Sequence, residues 1–336
     1  MRKHIYVLGR WTRMKCNRIE NILSERLKRV LEDINVSTEL QEIRLRVDKP
    51  ILIYWGNKEF FVGNDLKLRT TDENCLYATN DDIKEVLEYI SKHSLYAYEE
   101  DIRNGYITIE GGHRIGLAGK VVLENGKVKT IRNVSCINIR VSHEMKGCAD
   151  HILPYIVNDG LIHHTLIISP PKCGKTTLLR DIVRQVSDGF MNFCGVNVGL
   201  VDERSEIGGC YRGIPQNDIG KRTDVLDSCN KGEGLLMLIR AMAPQVIALD
   251  EIGNKDDIDA IEYALNAGCK IICTVHGNSI KDIKDKPKLQ ELIERKLFKR
   301  YIFLENQNNI GDVKKIYDED HKMISMLVDK RVLKES

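Results

Sequence analysis

Three residues in a row, Gly174-Lys175-Thr176, close a short polar loop that begins at Ser169, and their order suits phosphate binding. The glycine lets the backbone approach an anion closely, and the N–H groups of a following helix N-terminus would surround it. Lys175 would reach the terminal phosphates of a nucleotide, and the Thr176 hydroxyl would complete the shell of a magnesium ion. The whole segment Ser169-Pro170-Pro171-Lys172-Cys173-Gly174-Lys175-Thr176-Thr177 is therefore the candidate nucleotide-binding loop. Ser169 stands where the usual pattern opens with glycine, and Lys172 where a small residue is frequent. Both bear on how tightly the loop would hold ATP.

Further along, four apolar residues run into two acids, Val246-Ile247-Ala248-Leu249-Asp250-Glu251. A buried strand of this kind would deliver Asp250 to the magnesium, directly or through a water, and set Glu251 to polarise an attacking water. Asp202-Glu203 follow another apolar run. One of them, Glu203 by preference, is expected to assist as base or to hold metal-bound water, the alternative being a solvated turn that caps the next helix. His276, after Thr274-Val275, is placed to sense a γ-phosphate. Phosphoryl transfer also builds charge that arginines can stabilise. Arg240 before the Asp250 strand, and Arg114, Arg132 and Arg140 in the first half, are the candidates, with a solvated strand face as the alternative for the last three.

These groups need elements to bring them together. In the second half, strands over Thr165–Ser169, Val196–Asp202, Gln245–Leu249 and Lys270–Val275 alternate with helices after Thr176, over Glu233–Met242 and over Asp256–Ala267. Nearly unbroken apolar strands between helices predict a parallel sheet covered on both faces, with ligands at the carboxyl ends of its strands. All the polar motifs fall at such ends. A segment near Ala149–Val157 reads as a bridging helix, and Tyr301–Leu304 as an apolar run able to finish the sheet.

The first half reads as α+β. Ile19, Ile22, Leu23, Leu27, Val30, Leu31 and Ile34 recur at helical spacing, as do Ile83, Val86, Leu87 and Ile90. Strands are expected over Leu40–Val47, Ile51–Trp55, Phe60–Val62, Tyr106–Glu110, Arg114–Leu123 and Val134–Val141, with Asn125-Gly126 as a type I′ hairpin turn. The division expected is an amino-terminal domain over 1–147 and a phosphate-loop domain over 148–336.

Composition narrows the class. A net charge of +2 does not call for a nucleic-acid partner, and the ten cysteines include no C-x-x-C pair. This is the usage of reduced intracellular thiols rather than a disulfide scaffold. No apolar run reaches membrane-spanning length, and no signal peptide is read. The basic stretch Met1–Arg18 reads either as a membrane contact or as a solvated tail.

Taken together, the loop, Val201-Asp202-Glu203-Arg204-Ser205-Glu206-Ile207, the run from Arg240 to Ile252, and Thr274-Val275-His276-Gly277 resemble the stage III sporulation AA family. Gly213-Ile214-Pro215-Gln216-Asn217-Asp218, Arg222-Thr223-Asp224-Val225-Leu226-Asp227, Glu42-Ile43-Arg44-Leu45-Arg46 and Gly111-Gly112-His113-Arg114-Ile115-Gly116 fit it too. That family is similar to the secretion-type ATPases of type II and type IV systems. The resemblance implies an α/β fold: a RecA-like phosphate-loop ATPase domain with a parallel or mixed sheet behind an α+β domain. It puts Asp202-Glu203 in the Asp box, Glu251 as the catalytic acid after the Walker B strand, Thr274–Gly277 in the His box, and Arg240 in the family's arginine position. It implies ATP and Mg2+ as cofactors and a homo-oligomeric ring, expected to be a hexamer. The ring would lie in the cytoplasm on the mother-cell side of a membrane, driving the channel proteins that join mother cell and forespore. No nucleic acid is expected. The rival reading is a nucleic-acid-dependent ATPase of the recombinase or helicase-loader kind, which needs a basic groove with stacking aromatics.

Overall fold

The computed structural model describes residues 19, 22–33, 39–56, 58–91, 102–103, 105–171, 173–305, 311 and 313–324. Met1–Arg18, Lys172, Ile34 and the polar carboxyl end lie outside these residues. The chain divides into two compact units, Met1–His143 with Gly209–Gln216, and Glu144–Gly208 with Asn217–Ser336. The division thus falls a few residues before the expected one, and a segment from the middle of the second half belongs to the first unit.

The first unit holds helix α1 (Glu25–Asp33), strands β1 (Leu40–Arg46), β2 (Leu52–Trp55), β3 (Lys58–Val62) and β4 (Leu68–Arg69), helix α2 (Asn80–Ser91), and strands β5 (Tyr106–Thr108), β6 (Arg114–Glu124) and β7 (Lys127–Arg140). The strands form one antiparallel sheet in the order β4-β3-β2-β1-β7-β6-β5. Period-2 alternation puts Ile43, Leu45, Ile53, Ile115, Ile137 and Ile139 on one face, where Leu27, Val30, Ile83 and Val86 of the two helices cover them. The other face carries Arg44 and Arg140, both bound to Glu42. Arg114 pairs with Arg140 across β6 and β7 and stacks on Tyr106 at 4.1 Å. Arg132 lies further along, opposite Lys120.

The turn between β6 and β7 has positive φ at Asn125 (51°) and Gly126 (75°), as a type I′ turn requires. The pairing register slips between Ala118 and Lys120, where Asn133 is left-handed at φ 47°. A Cβ at Gly119 would meet the Asn133 carbonyl at 2.7 Å, so the bulge needs glycine there. Strand β7 consequently runs through the bulge from Lys127, longer than the alternation of Val134–Val141 suggests.

The second unit begins with a single helical turn α3 (Leu153–Ile156), shorter than the helix read over Ala149–Val157, and a small ribbon of β8 (Val157–Asn158) and β9 (Leu161–Ile162). Strand β10 (Thr165–Ser169) and helix α4 (Lys175–Asp188) follow. Next come a second ribbon, β11 (Gly189–Phe190) and β12 (Phe193–Cys194), then β13 (Val198–Asp202) and β14 (Thr223–Asp227). Helix α5 (Lys231–Met242), β15 (Val246–Leu249), α6 (Lys255–Asn266) and β16 (Lys270–His276) complete the alternation. Helices α7 (Ile280–Lys284) and α8 (Pro287–Glu294) lead to β17 (Arg300–Leu304), β18 (Val313–Tyr317) and β19 (Met323–Ile324).

One sheet in the order β14-β13-β15-β16-β10-β17-β18-β19 takes up the main strands. The first six run parallel and the last two are antiparallel. Every residue of β10, β13 and β15 is buried. On one face Leu178, Ile182 and Val186 of α4 pack on Ile167, Leu200, Ala248 and Ile272. On the other, Leu235 of α5, Ile258 and Ile261 of α6 and Leu289 of α8 pack on Leu166, Ile168, Ile247 and Leu249. Alternate side chains of each strand thus feed opposite layers, which is why these strands read as unbroken apolar runs. Tyr301–Leu304 does finish the parallel set, beside β10.

Candidate active site

Strand β10 ends at Ser169, and the chain turns through Pro170 and Pro171 into α4. Gly174 occupies the N-cap in the left-handed region, φ 87°, and no side chain caps the helix. The first-turn N–H groups are thus not covered by a capping side chain, which is the condition for anion binding at a helix N-terminus. Ser169 is fully buried, and its hydroxyl donates to the Pro170 carbonyl at 2.7 Å, so it shapes the bend rather than reaching outward. Cys173 is buried in the layer under α4, and its carbonyl accepts from the Gly311 N–H at 2.9 Å. Thr177 is half-buried on the first turn, where its carbonyl accepts from the Cys148 thiol.

Parallel pairing then sets the other groups. Ser169 is opposite His276 across β10 and β16, and Leu249 is opposite Val201 and Cys273, so Asp250 and Glu251 leave β15 between their carboxyl ends. The Thr176 hydroxyl donates to Asp250 Oδ2 at 2.7 Å. Lys175, only 8% exposed, is ion-paired with Glu251 Oε1. His276 Nε2 lies 3.1 Å from the same oxygen, and Arg204 Nη1 lies 2.9 Å from Glu251 Oε2. Burial alone would raise the Glu251 pKa, but the hydrogen bond and charge of Lys175, followed by Arg204 and His276, hold it below the usual carboxylate value. Six residues from the ends of four strands, β10, β13, β15 and β16, therefore share one charged cluster.

Thr274 ties this cluster to the sheet. Its fully buried hydroxyl accepts the Glu251 N–H at 2.8 Å and donates to Asp250 Oδ1. Glu251 itself has φ 52°, in the region that non-glycine residues avoid at about 1–2 kcal/mol.

Asp202 and Glu203 part company. Asp202 is 2% exposed and accepts the N–H groups of Glu206 (2.9 Å), Ile207 (2.9 Å) and Gly208 (2.7 Å). It is the root of the following turn, not a free ligand. Burial pushes its pKa up to about 6 against those three donors. Glu203 instead pairs with Lys231, which is held at the first position of α5 by the Asn230 cap. Glu203, Arg204, Lys231, Asp250 and Glu251 line a common recess.

Arg240 is not brought to this recess within the chain. Helix α5 runs back against the strands, so its last turn, with Arg240 exposed, lies at the edge where β15 begins. Lys172 lies outside the described residues. Sequence reasoning passed over Lys231, and it gave Thr274 and Arg204 no role of their own within the segments that contain them. The available signals were a buried threonine two residues before His276, hence on the same side of β16, and a lysine opening the helix after β14.

The residues fit a magnesium-bound triphosphate. An uncapped helix start and a lysine serve the phosphates, and a hydroxyl beside a carboxylate offers hard oxygen donors to a metal whose remaining ligands are phosphate oxygens and water.

The fold and these strand ends define a RecA-like α/β domain, which follows an α+β unit in the chain. A family model described as "Sporulation stage III, protein AA" matches residues 13–324, and the chain belongs to that family. It is 42% identical over 312 residues to Stage III sporulation protein AA of Bacillus subtilis (strain 168), covering 92% of this chain and 97% of that protein. Among solved structures it is similar to the pilus retraction motor PilT with bound ADP (16% identity, 91% of this chain, 84% of that one, TM-score 0.55). It is also similar to the Legionella pneumophila ATPase DotB (16% identity, 82% of this chain, 75% of that one, TM-score 0.53). At those identities the likeness shows the shared fold. No helix among the described residues is long and apolar enough to cross a membrane.

Proposed function

We propose that this chain hydrolyses ATP and acts as the motor of a secretion-type assembly used in sporulation. The observation that carries the reading is the meeting of Lys175, Thr176, Asp250, Glu251 and His276 at the ends of β10, β15 and β16. The ADP held by PilT, a structure of the same fold, and the sporulation name of the Bacillus relative support it.

The start of α4 would hold the phosphates, with Lys175 leaving Glu251 for the anion. Thr176 and Asp250 would hold magnesium, which neutralises charge on the phosphate oxygens when bound. Glu251, ionised because its neighbours favour the anion, orients water and takes its proton as the water oxygen bonds to the γ-phosphorus. The bond to the β–γ bridging oxygen breaks, and its electron pair leaves with ADP. His276, on the strand beside β10, would sense the γ-phosphate. Glu203 assists from the rim, its carboxylate steadied by Lys231. We place the working form in a homo-oligomeric ring, a hexamer, on the cytoplasmic face of a membrane, coupled to channel proteins between mother cell and forespore.

The test is phosphate release by the full chain with ATP and magnesium, combined with mass measurement in solution. Magnesium-dependent turnover together with growth of the assembly on adding ATP supports the ring motor. Absence of turnover at any protein concentration removes it.

A further inference from the structure

We propose that Arg204 is a positioning residue for hydrolysis: it keeps Oε2 of Glu251 engaged, so that Oε1 is the oxygen presented to water once Lys175 moves to the phosphates. This rests on the hydrolytic reading above. The two oxygens of Glu251 are unequally shared. Lys175 and His276 both address Oε1, whereas Arg204 addresses Oε2 at 2.9 Å. Phosphate binding draws away the lysine alone, because only Lys175 stands on the loop that receives the anion. A carboxylate released by its strongest partner and held only at one oxygen, through His276, would still swing about its terminal torsion, which is broad and soft. Arg204 on the opposite oxygen limits that swing and leaves Oε1 directed toward the loop.

The backbone that carries Arg204 is built for such a task. Asp202 clamps the turn through three N–H groups. From the other side, buried Arg180 donates to the carbonyls of Ile207 (2.7 Å) and Glu206 (2.5 Å), and the Asn217 amide donates to the Ile207 carbonyl at 2.9 Å. Ser205, 4% exposed, is fixed in the left-handed region at φ 52°. Two buried ions of opposite sign thus hold a short turn whose outward residue meets Glu251. This also gives buried Asp202 a purpose, since its carboxylate accepts three backbone N–H groups of the turn.

The experiment compares wild type, Arg204→Ala and Arg204→Lys in steady-state phosphate release at one pH, with urea midpoints as a control. The alanine variant is expected to lose about tenfold in kcat with KM changed by no more than about twofold, as for a group that acts on the chemical step. Lysine, which keeps the charge without the fork, should restore part of kcat. A KM that rises as much as kcat falls in the alanine variant overturns the proposal, as does a fall in kcat matched by a lowered urea midpoint. Wild type without turnover removes the hydrolytic reading and this one with it; wild type that turns over beside an unaltered alanine variant removes this one alone.

Discussion

Replacing Thr274 by valine tests the architecture of the site at its least obvious point. The two side chains have nearly the same shape, so packing at this fully buried position is kept while both hydrogen bonds of the hydroxyl are lost. One left without its partner is the Glu251 N–H, which holds that residue in a left-handed conformation costing about 1–2 kcal/mol. An unpaired buried donor adds roughly 1–3 kcal/mol, and the Asp250 carboxylate loses a charge-assisted bond of similar size. Part of this is recovered by relaxation of the 250–251 peptide, which moves Glu251 off its aim. A net loss of about 1–3 kcal/mol in stability is expected, with turnover reduced roughly 10- to 100-fold. Nucleotide affinity should hold within about threefold, because Lys175, Thr176 and the start of α4 are untouched. Urea unfolding, binding of a fluorescent ATP analogue and steady-state phosphate release measure the three quantities, and Thr274→Ser, which keeps the hydroxyl, should recover most of the rate. Valine turning over at the wild-type rate with an unchanged midpoint would refute the claim that Thr274 sets the geometry of both acids.

Glu251→Gln should keep ATP binding and lose turnover by at least about 100-fold, since only the group that takes the proton is gone; phosphate release at the wild-type rate would exclude Glu251 from the chemistry. Lys175→Ala should weaken ATP binding by at least about tenfold and abolish hydrolysis, and unchanged affinity in equilibrium titration would count against the loop. Asp202 has a folded pKa raised from 3.8 to about 6, so the folded state holds its proton more tightly than the unfolded chain. Its contribution to stability is complete below about pH 4 and fades as pH rises through 6, by up to ~3 kcal/mol. Urea midpoints measured from pH 4 to pH 7 should therefore fall for wild type relative to Asp202→Asn across that window, and parallel profiles would show that burial does not govern this carboxyl.

How far each element was legible follows from how local its cause is. Strand β10 and helix α4 announce themselves because apolar runs, a glycine at positive φ and 3.6-residue spacing are all written within a few residues. The Asn125-Gly126 turn is equally local. Strand β14 was not legible as Thr-Asp-Val-Leu-Asp, because an edge strand shows only half a face to the core and its acids mask the pattern. The length of β7 depended on a bulge that no periodicity reveals.

Residue types and spacing by themselves set out the candidate phosphate loop, the two acids after a buried strand and the histidine after another, because each is a short-range pattern. Tertiary structure alone decided which neighbours those groups meet. Asp202 and Glu203, adjacent in the chain, part because one carboxylate turns into backbone N–H groups and the other toward Lys231. Arg240 is carried away from the site because its helix runs back along the sheet, while Arg204 is carried onto Glu251 by a turn fixed from two sides. A sequence lists charges in order along a line; the free energy of a buried carboxylate depends on what surrounds it in three dimensions, and that is set only when the strands pair.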